Sequence, residues 1–68
     1  MKISRVLTYR KALRMSQADM AKQLNLSVDG YAKKERGERE FKASEMQEFL
    51  EVVKRKEPSV SIEQIFFN

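Results

Sequence analysis

The chain contains no cysteine and no histidine. Without cysteine there is no disulfide framework and no zinc ribbon or finger. Without histidine the commonest general base and the commonest metal ligand are both missing. The composition therefore argues against an enzyme, and neither a metal nor a cofactor is expected. No apolar run approaches the ~20 residues that a helix needs to cross a bilayer. Met1-Lys2-Ile3-Ser4-Arg5 carries charge with no apolar stretch behind it, so no signal peptide is expected. Low-complexity tracts, internal repeats and long linkers are missing too. No alternating stretch bounded by turn residues suggests a strand. What is left is a soluble intracellular domain that does no chemistry of its own.

The 68 residues suffice for one domain, spanning 1–68. At this size folding removes only about 60% of the chain's exposable surface from water, so such a domain is marginal and gains from a partner or a second copy. Phe, Ile, Leu and Val number 17, a quarter of the chain, which lies above the rough 20% floor of folded sequences. The net charge of +4 is unevenly spread. Residues 1–42 carry 11 Lys/Arg against 5 Asp/Glu, giving +6, whereas residues 43–68 carry 3 against 5, giving −2. The basic part suits a polyanion and the acidic end suits something else. Charge alone favours a solvated surface over nucleic-acid binding, so sequence order has to decide.

Helical periodicity dominates that order. Ile3, Val6, Arg10 and Leu13, with Tyr9 beside them, predict a first helix over 3–14. Ser16 followed by Asp19 reads as an N-cap opening a short helix through Leu24, with Met20, Ala21 and Leu24 on one face. Asn25-Leu26 breaks it, and Ser27 caps the next helix over 28–36, which Gly37 stops at a left-handed position. Glu38 to Lys42 is a charged loop. A longer helix starts near Ala43–Ser44, with Ser44 and Gln47 as its capping box and Met46, Phe49, Leu50 and Val53 as its stripe. Pro58 prevents its continuation. Ser61 and Gln64 cap a last short helix with Ile62, Ile65 and Phe66 facing inward. The fold class is all-α, with five helices joined by loops of two to six residues.

The informative stretch is SQADMAKQLNLSVDGYAKKERG, residues 16–37. Two short helices, about 17–24 and 28–36, are joined by a tight break, and basic residues flank the second. That is the pattern of a helix-turn-helix, whose second helix enters the DNA major groove. Ala21 is small enough to let the helices cross closely, and Leu24, Leu26 and Tyr31 fill the angle between them. With Arg10, Ser16-Gln17, Ala21, Leu24, Leu26-Ser27, Tyr31, Glu35, Gly37 and Ile65-Phe66 in this order, the chain resembles the Cro/repressor-type (XRE-like, lambda-repressor-like) helix-turn-helix family along nearly its whole length. The resemblance is specific for the fold and silent about which genes are controlled.

Several roles follow from the resemblance. Gln17, at the start of the first helix of the pair, is implied to grip a phosphate; otherwise it is a polar first-turn residue. Arg10 and Glu35 are implied to form an internal ion pair tying helix 1 to the recognition helix. That helix is expected to present Ser27, Val28, Asp29, Ala32, Lys33 and Arg36 to DNA. Lys33 suits guanine O6 and N7, and Val28 and Ala32 suit thymine methyl groups. Asp29 departs from the neutral side chains usual at its place. It either accepts from cytosine N4 or positions Lys33, or it serves the helix dipole. Gly30 is costly inside a helix and reflects either close approach to DNA or a frayed first turn. Lys34, Arg36, Arg39 and Lys42 flank the helix and its loop as phosphate contacts, interrupted by Glu38 and Glu40. Lys54-Arg55-Lys56 sits at a helix C-terminus and reads as structural.

One module of this size makes few contacts, so a homodimer on a palindromic operator is expected, with 43–68 contributing the interface. Phe66 and Phe67 are its candidate anchors, because a helix can bury only one of two neighbours in its own core; otherwise Phe67 is a frayed end. The resulting expectation is a sequence-specific regulator of double-stranded DNA, most simply an autorepressor. No small-molecule ligand and no membrane partner are expected. It would act in the cytoplasm of a bacterial or phage-infected cell, at the nucleoid. Its small size suits a phage or mobile-element regulator, Cro-like or anti-CRISPR-associated. The alternative is an antitoxin-type interaction module, disfavoured because no segment is left over to bind a toxin.

Overall fold

Three successive helices end in the same way. In the computed structural model, which describes residues 5–67, α1 (Val6–Ala12), α2 (Gln17–Gln23) and α3 (Val28–Glu35) each give way to a residue with positive φ. These are Arg14 at 59°, Asn25 at 59° and Gly37 at 84°. The amide after each returns to a carbonyl five residues back: Met15 N to Arg10 O (3.2 Å), Leu26 N to Ala21 O (2.8 Å) and Glu38 N to Lys33 O (2.9 Å). With the accompanying bonds from Arg14 to Lys11, Asn25 to Lys22 and Gly37 to Lys34, all three are Schellman endings that satisfy carbonyls orphaned at a helix terminus. Each reverses the chain in very few residues. This is how three helices fit into about half of so short a sequence.

The helix starts are equally local in origin. Ser16 Oγ accepts from Asp19 N while Asp19 Oδ2 accepts from Ser16 N, both at 3.0 Å. Ser27 Oγ accepts from Gly30 N at 3.0 Å. Ser61 and Gln64 form the expected reciprocal pair before α5 (Ile62–Phe66). α4 (Ala43–Lys54) begins where expected but is capped differently. Glu45, rather than Gln47, reaches back, accepting from Lys42 N at 2.8 Å, so the Ser44–Gln47 box does not form. Helix 1 is shorter than the expected 3–14, because the left-handed turn at Arg14 closes it early. Ile3 lies outside the described residues. Among the described residues all regular structure is helical.

The core gathers Val6, Met20, Ala21, Leu24, Tyr31, Phe49, Leu50, Val52, Val53, Val60, Ile65 and Phe66. The predicted stripes of α2, α4 and α5 lie in it, with Met46 and Ile62 only partly covered. Val52 and Val60 join it from outside those stripes. So does Phe41, which the charged loop 38–42 turns inward. Its ring stands edge-on to Phe66 (5.3 Å between centroids) and to Tyr31 (6.2 Å), and Phe66 stands edge-on to Phe49 (5.6 Å). Such arrangements suit the ring quadrupoles. Arg5 N donates to Ile65 O at 2.8 Å, fastening the entry to α1 onto α5. Lys56 donates to Ala12 O at 3.0 Å, so a lysine past the end of α4 caps the end of α1.

Candidate nucleic-acid interface

α2 and α3 pack against each other across the turn at Asn25, with Ala21 and Tyr31 fully covered and Leu26 partly so. The end of α3 is held by one carboxylate. Glu35 accepts from Arg10 Nε (2.8 Å) and Nη2 (3.1 Å), from the Tyr31 hydroxyl (2.7 Å) and from Gln17 Nε2 (3.0 Å). The remaining arm of Arg10, Nη1, donates to Met15 O at 2.8 Å. The Arg10–Glu35 pair is nearly enclosed, with side chains 10% and 5% exposed. Burial works against ionisation of Glu35, but the donors from Arg10, Tyr31 and Gln17 together outweigh it and hold its carboxyl below the usual range. The same hydrogen bond raises Arg10 above its ordinary value. Burial, followed by the bond to Glu35, pushes the Tyr31 hydroxyl upward. Among the described residues no buried side-chain N or O atom is left without a partner. α1, the start of α2 and the C-terminal half of α3 are thus locked together by directional bonds.

On the opposite side α3 is open. Ser27, Val28, Asp29 and Arg36 are exposed, and the Lys33 side chain is 37% exposed. At 100° per residue Asp29, Lys33 and Arg36 fall within about 60° of one another. Asp29 Oδ2 lies 3.3 Å from Lys33 Nζ, and Glu38 Oε2 lies 2.6 Å from Arg36 Nε. Arg39 and Lys42 are exposed on the following loop, and the Arg39 guanidinium makes no ion pair among the described residues. Ser27 fills two positions at once, exposed at the surface and capping α3. A Cβ added at Gly30 would lie 3.0 Å from Ser27 Oγ, so the glycine gives that cap room.

Three expected site residues are placed otherwise. Ala32 is 7% exposed. It is covered on α3 rather than presented outward. Lys34 folds back onto Glu45 Oε1 (2.5 Å), with both side chains more than nine-tenths covered. It is a tie between α3 and the start of α4, not a phosphate contact. Phe66 is 7% exposed within the aromatic cluster, which removes it as an interface anchor. Phe67 is half exposed, next to a shallow cavity of about 290 Å³ bordered by Phe41 and Met46. Gln17 is half-buried, and one of its amide N–H groups is committed to Glu35.

Sequence reasoning missed Tyr31 and Gln17 as partners of Glu35, and Glu45 as the partner of Lys34. The spacing of Tyr31 to Glu35, one helical turn, was the available signal for the first. Distances of 11 residues for Lys34–Glu45 and 18 for Gln17–Glu35 carry no local signal. No group of His, Cys, Asp and Glu among the described residues is arranged to hold a metal, and no described helix is long and apolar enough to cross a membrane.

Comparison with known proteins agrees with the geometry. No curated protein and no solved structure gives a significant match. Residues 6–60, from the first residue of α1 to the valine before α5, match the helix-turn-helix family. With five helices among the described residues, the tight α2–α3 turn and the open outer face of α3, the chain belongs to the Cro/repressor (XRE) type of helix-turn-helix family, whose members are DNA-binding transcription regulators.

Proposed function

We propose that this regulator is a sequence-specific repressor, acting as a homodimer on a palindromic operator that overlaps its own promoter. The observation that carries the reading is the open face of α3. Asp29, Lys33 and Arg36 stand together on α3, with Val28 exposed at its first turn, and the end of the helix is tied down by Glu35. In this reading Lys33 and Val28 meet base edges, while Arg39 and Lys42 meet phosphates and fix the register. Gln17 assists with whatever donor capacity Glu35 leaves. Size supports the dimer. The longest dimension of the domain is 29 Å, whereas successive major grooves on one side of DNA are ~34 Å apart. One copy therefore reads one groove, and a two-fold pair reads both. Residues 43–68, which carry the acidic balance, supply the contact, with Phe67 as its exposed aromatic.

Repression then follows mechanically, through exclusion of polymerase, and is set by protein concentration and dimerisation. The setting is the nucleoid of a bacterial or phage-infected cell, and the small size suits a phage or mobile-element switch. Footprinting on the DNA upstream of the gene tests this. Two symmetric protected half-sites about 10–10.5 base pairs apart are expected, together with lower promoter output when the protein is supplied in trans. A single protected half-site would end the dimer reading. Phe67→Asp tests the interface separately. Sedimentation should shift from dimer to monomer without loss of helicity, and an unchanged dimer would remove Phe67 from the contact.

A further inference from the structure

The reading face of α3 has an unexpected charge balance. Over residues 1–42 the chain carries +6, as a protein that meets a polyanion should. The exposed face of α3 and the start of the loop after it nevertheless set two cations, Lys33 and Arg36, between two carboxylates, Asp29 and Glu38, ahead of Arg39, Glu40 and Lys42 further along the loop. Lys33 Nζ lies 3.3 Å from Asp29, and Arg36 Nε lies 2.6 Å from Glu38. The pairs are not isolated, since Arg36 also feels Asp29 and Glu38 also feels Lys33. All four side chains are substantially exposed, from 37% for Lys33 to 77% for Asp29. They are therefore not held there by the demands of the core.

We propose that Asp29 and Glu38 are specificity-determining residues, which keep the reading face neutral by pairing Lys33 and Arg36 and so suppress binding to DNA of arbitrary sequence. This rests on the DNA-reading role of α3 proposed above. Binding to arbitrary DNA is almost wholly a matter of cations neutralising phosphates and releasing counterions. For Lys33 or Arg36 to take part, each must leave its carboxylate, which is then stranded beside the phosphate chain. That penalty applies at every sequence. It is repaid at Asp29 only where a base offers an amino group, as cytosine N4 or adenine N6 does in the major groove, and it is aggravated by guanine or thymine acceptors. Glu38, beyond the end of the helix, acts on affinity instead. In a complex held by phosphates alone a freed Arg36 adds a full contact. At a selected site the bases already fix the register and Arg36 is already drawn away, so the gain is smaller.

The test compares wild type, Asp29→Asn and Glu38→Gln on two duplexes. One is enriched by the wild-type protein from a random pool; the other has arbitrary sequence. Both variants should bind the arbitrary duplex more tightly, with log K against log salt steeper by about 0.9 for each cation released. Between 50 and 200 mM salt that adds roughly a threefold further loss of affinity per cation. Asp29→Asn should also relax the choice of base at one position in each half-site. The ratio of selected to arbitrary affinity should fall for both variants. Unchanged affinity and slope on the arbitrary duplex would overturn the proposal, and so would equal gains on both duplexes. A pool from which the wild type enriches nothing would instead remove the DNA-reading role of α3. Circular dichroism of each variant, expected to match wild type, guards against loss of fold.

Discussion

The two halves of this domain are held by different kinds of force. Around α1–α3 the fastening is polar: one carboxylate, Glu35, gathers four hydrogen bonds from α1, α2 and α3. Around α4–α5 it is aromatic, with Phe41, Phe49 and Phe66 meeting edge to face. Tyr31 belongs to both, its ring against Phe41 and its hydroxyl on Glu35. Ring packing contributes burial that tolerates small rotations. Hydrogen bonds of 2.7–3.1 Å do not, because they weaken steeply with misalignment. In the proposed reading α3 meets base edges, and a helix that does so has to be held to a fraction of an ångström. The directional fastening is found at α3, and the tolerant one is found behind it.

Substitutions of similar cost should separate the two halves. Phe49→Ala removes a fully buried ring and should destabilise by about 3–5 kcal/mol. Glu35→Gln strands the Arg10 charge and should lose about 3–5 kcal/mol, the usual result of breaking a buried pair. The difference is expected in function. At low temperature, where enough of either variant is folded, Phe49→Ala should retain DNA affinity per folded molecule and Glu35→Gln should not. Urea titrations paired with DNA binding measure both. Equal affinity per folded molecule would mean that the polar hub adds stability without orientation.

Acid should act on the polar half first. The carboxyl of Glu35 is held below its ordinary value, and so is that of Glu45 on Lys34. Each therefore adds stability that is complete above the unfolded carboxylate range, about pH 4.3, and is lost as pH falls through the lower folded value. Urea midpoints should be level from pH 7 to about pH 5 and drop below it. Glu35→Gln should flatten that drop, whereas Phe49→Ala should shift the whole curve down without changing its shape. A drop of wild-type size in Glu35→Gln would place the acid sensitivity elsewhere.

What could be read from the sequence follows the range of the interaction. Ser16, Ser27 and Ser61 cap their helices as read, because a cap and its partner lie three residues apart. Gly37 stops α3 as read, because few other residues accept its backbone. The inner faces of α2, α4 and α5 followed from periodicity. Phe41 was hidden among the charges of 38–42, and nothing local says that this loop turns inward. Lys34 and Arg36 look alike in sequence, two basic residues two apart, yet one is covered against Glu45 and the other is open. Ala32 and Phe66 are covered for the same reason: which flank of a helix is covered depends on neighbours distant in the chain. By contrast, Val28, Asp29 and Arg36 are exposed and Lys33 is partly so, as the periodicity suggests for residues pointing away from the core.

The smallest effect expected comes from Arg14. It is the least legible residue of the polar half, since arginine gives no sign of adopting φ near 59°. A non-glycine residue there costs of order 1 kcal/mol or more. Arg14→Gly removes that strain but frees the unfolded chain, which takes back part of the gain. A net stabilisation of about 0.5–1 kcal/mol is expected, read as a higher urea midpoint at unchanged slope. The same glycine placed at Asn25 should gain less, because asparagine already tolerates the left-handed region. If Arg14→Gly destabilises instead, the Arg14 side chain makes a contact worth more than its backbone strain. The tight turn that carries α1 into α2, and brings Met15 O to Arg10, would then be held from outside the backbone.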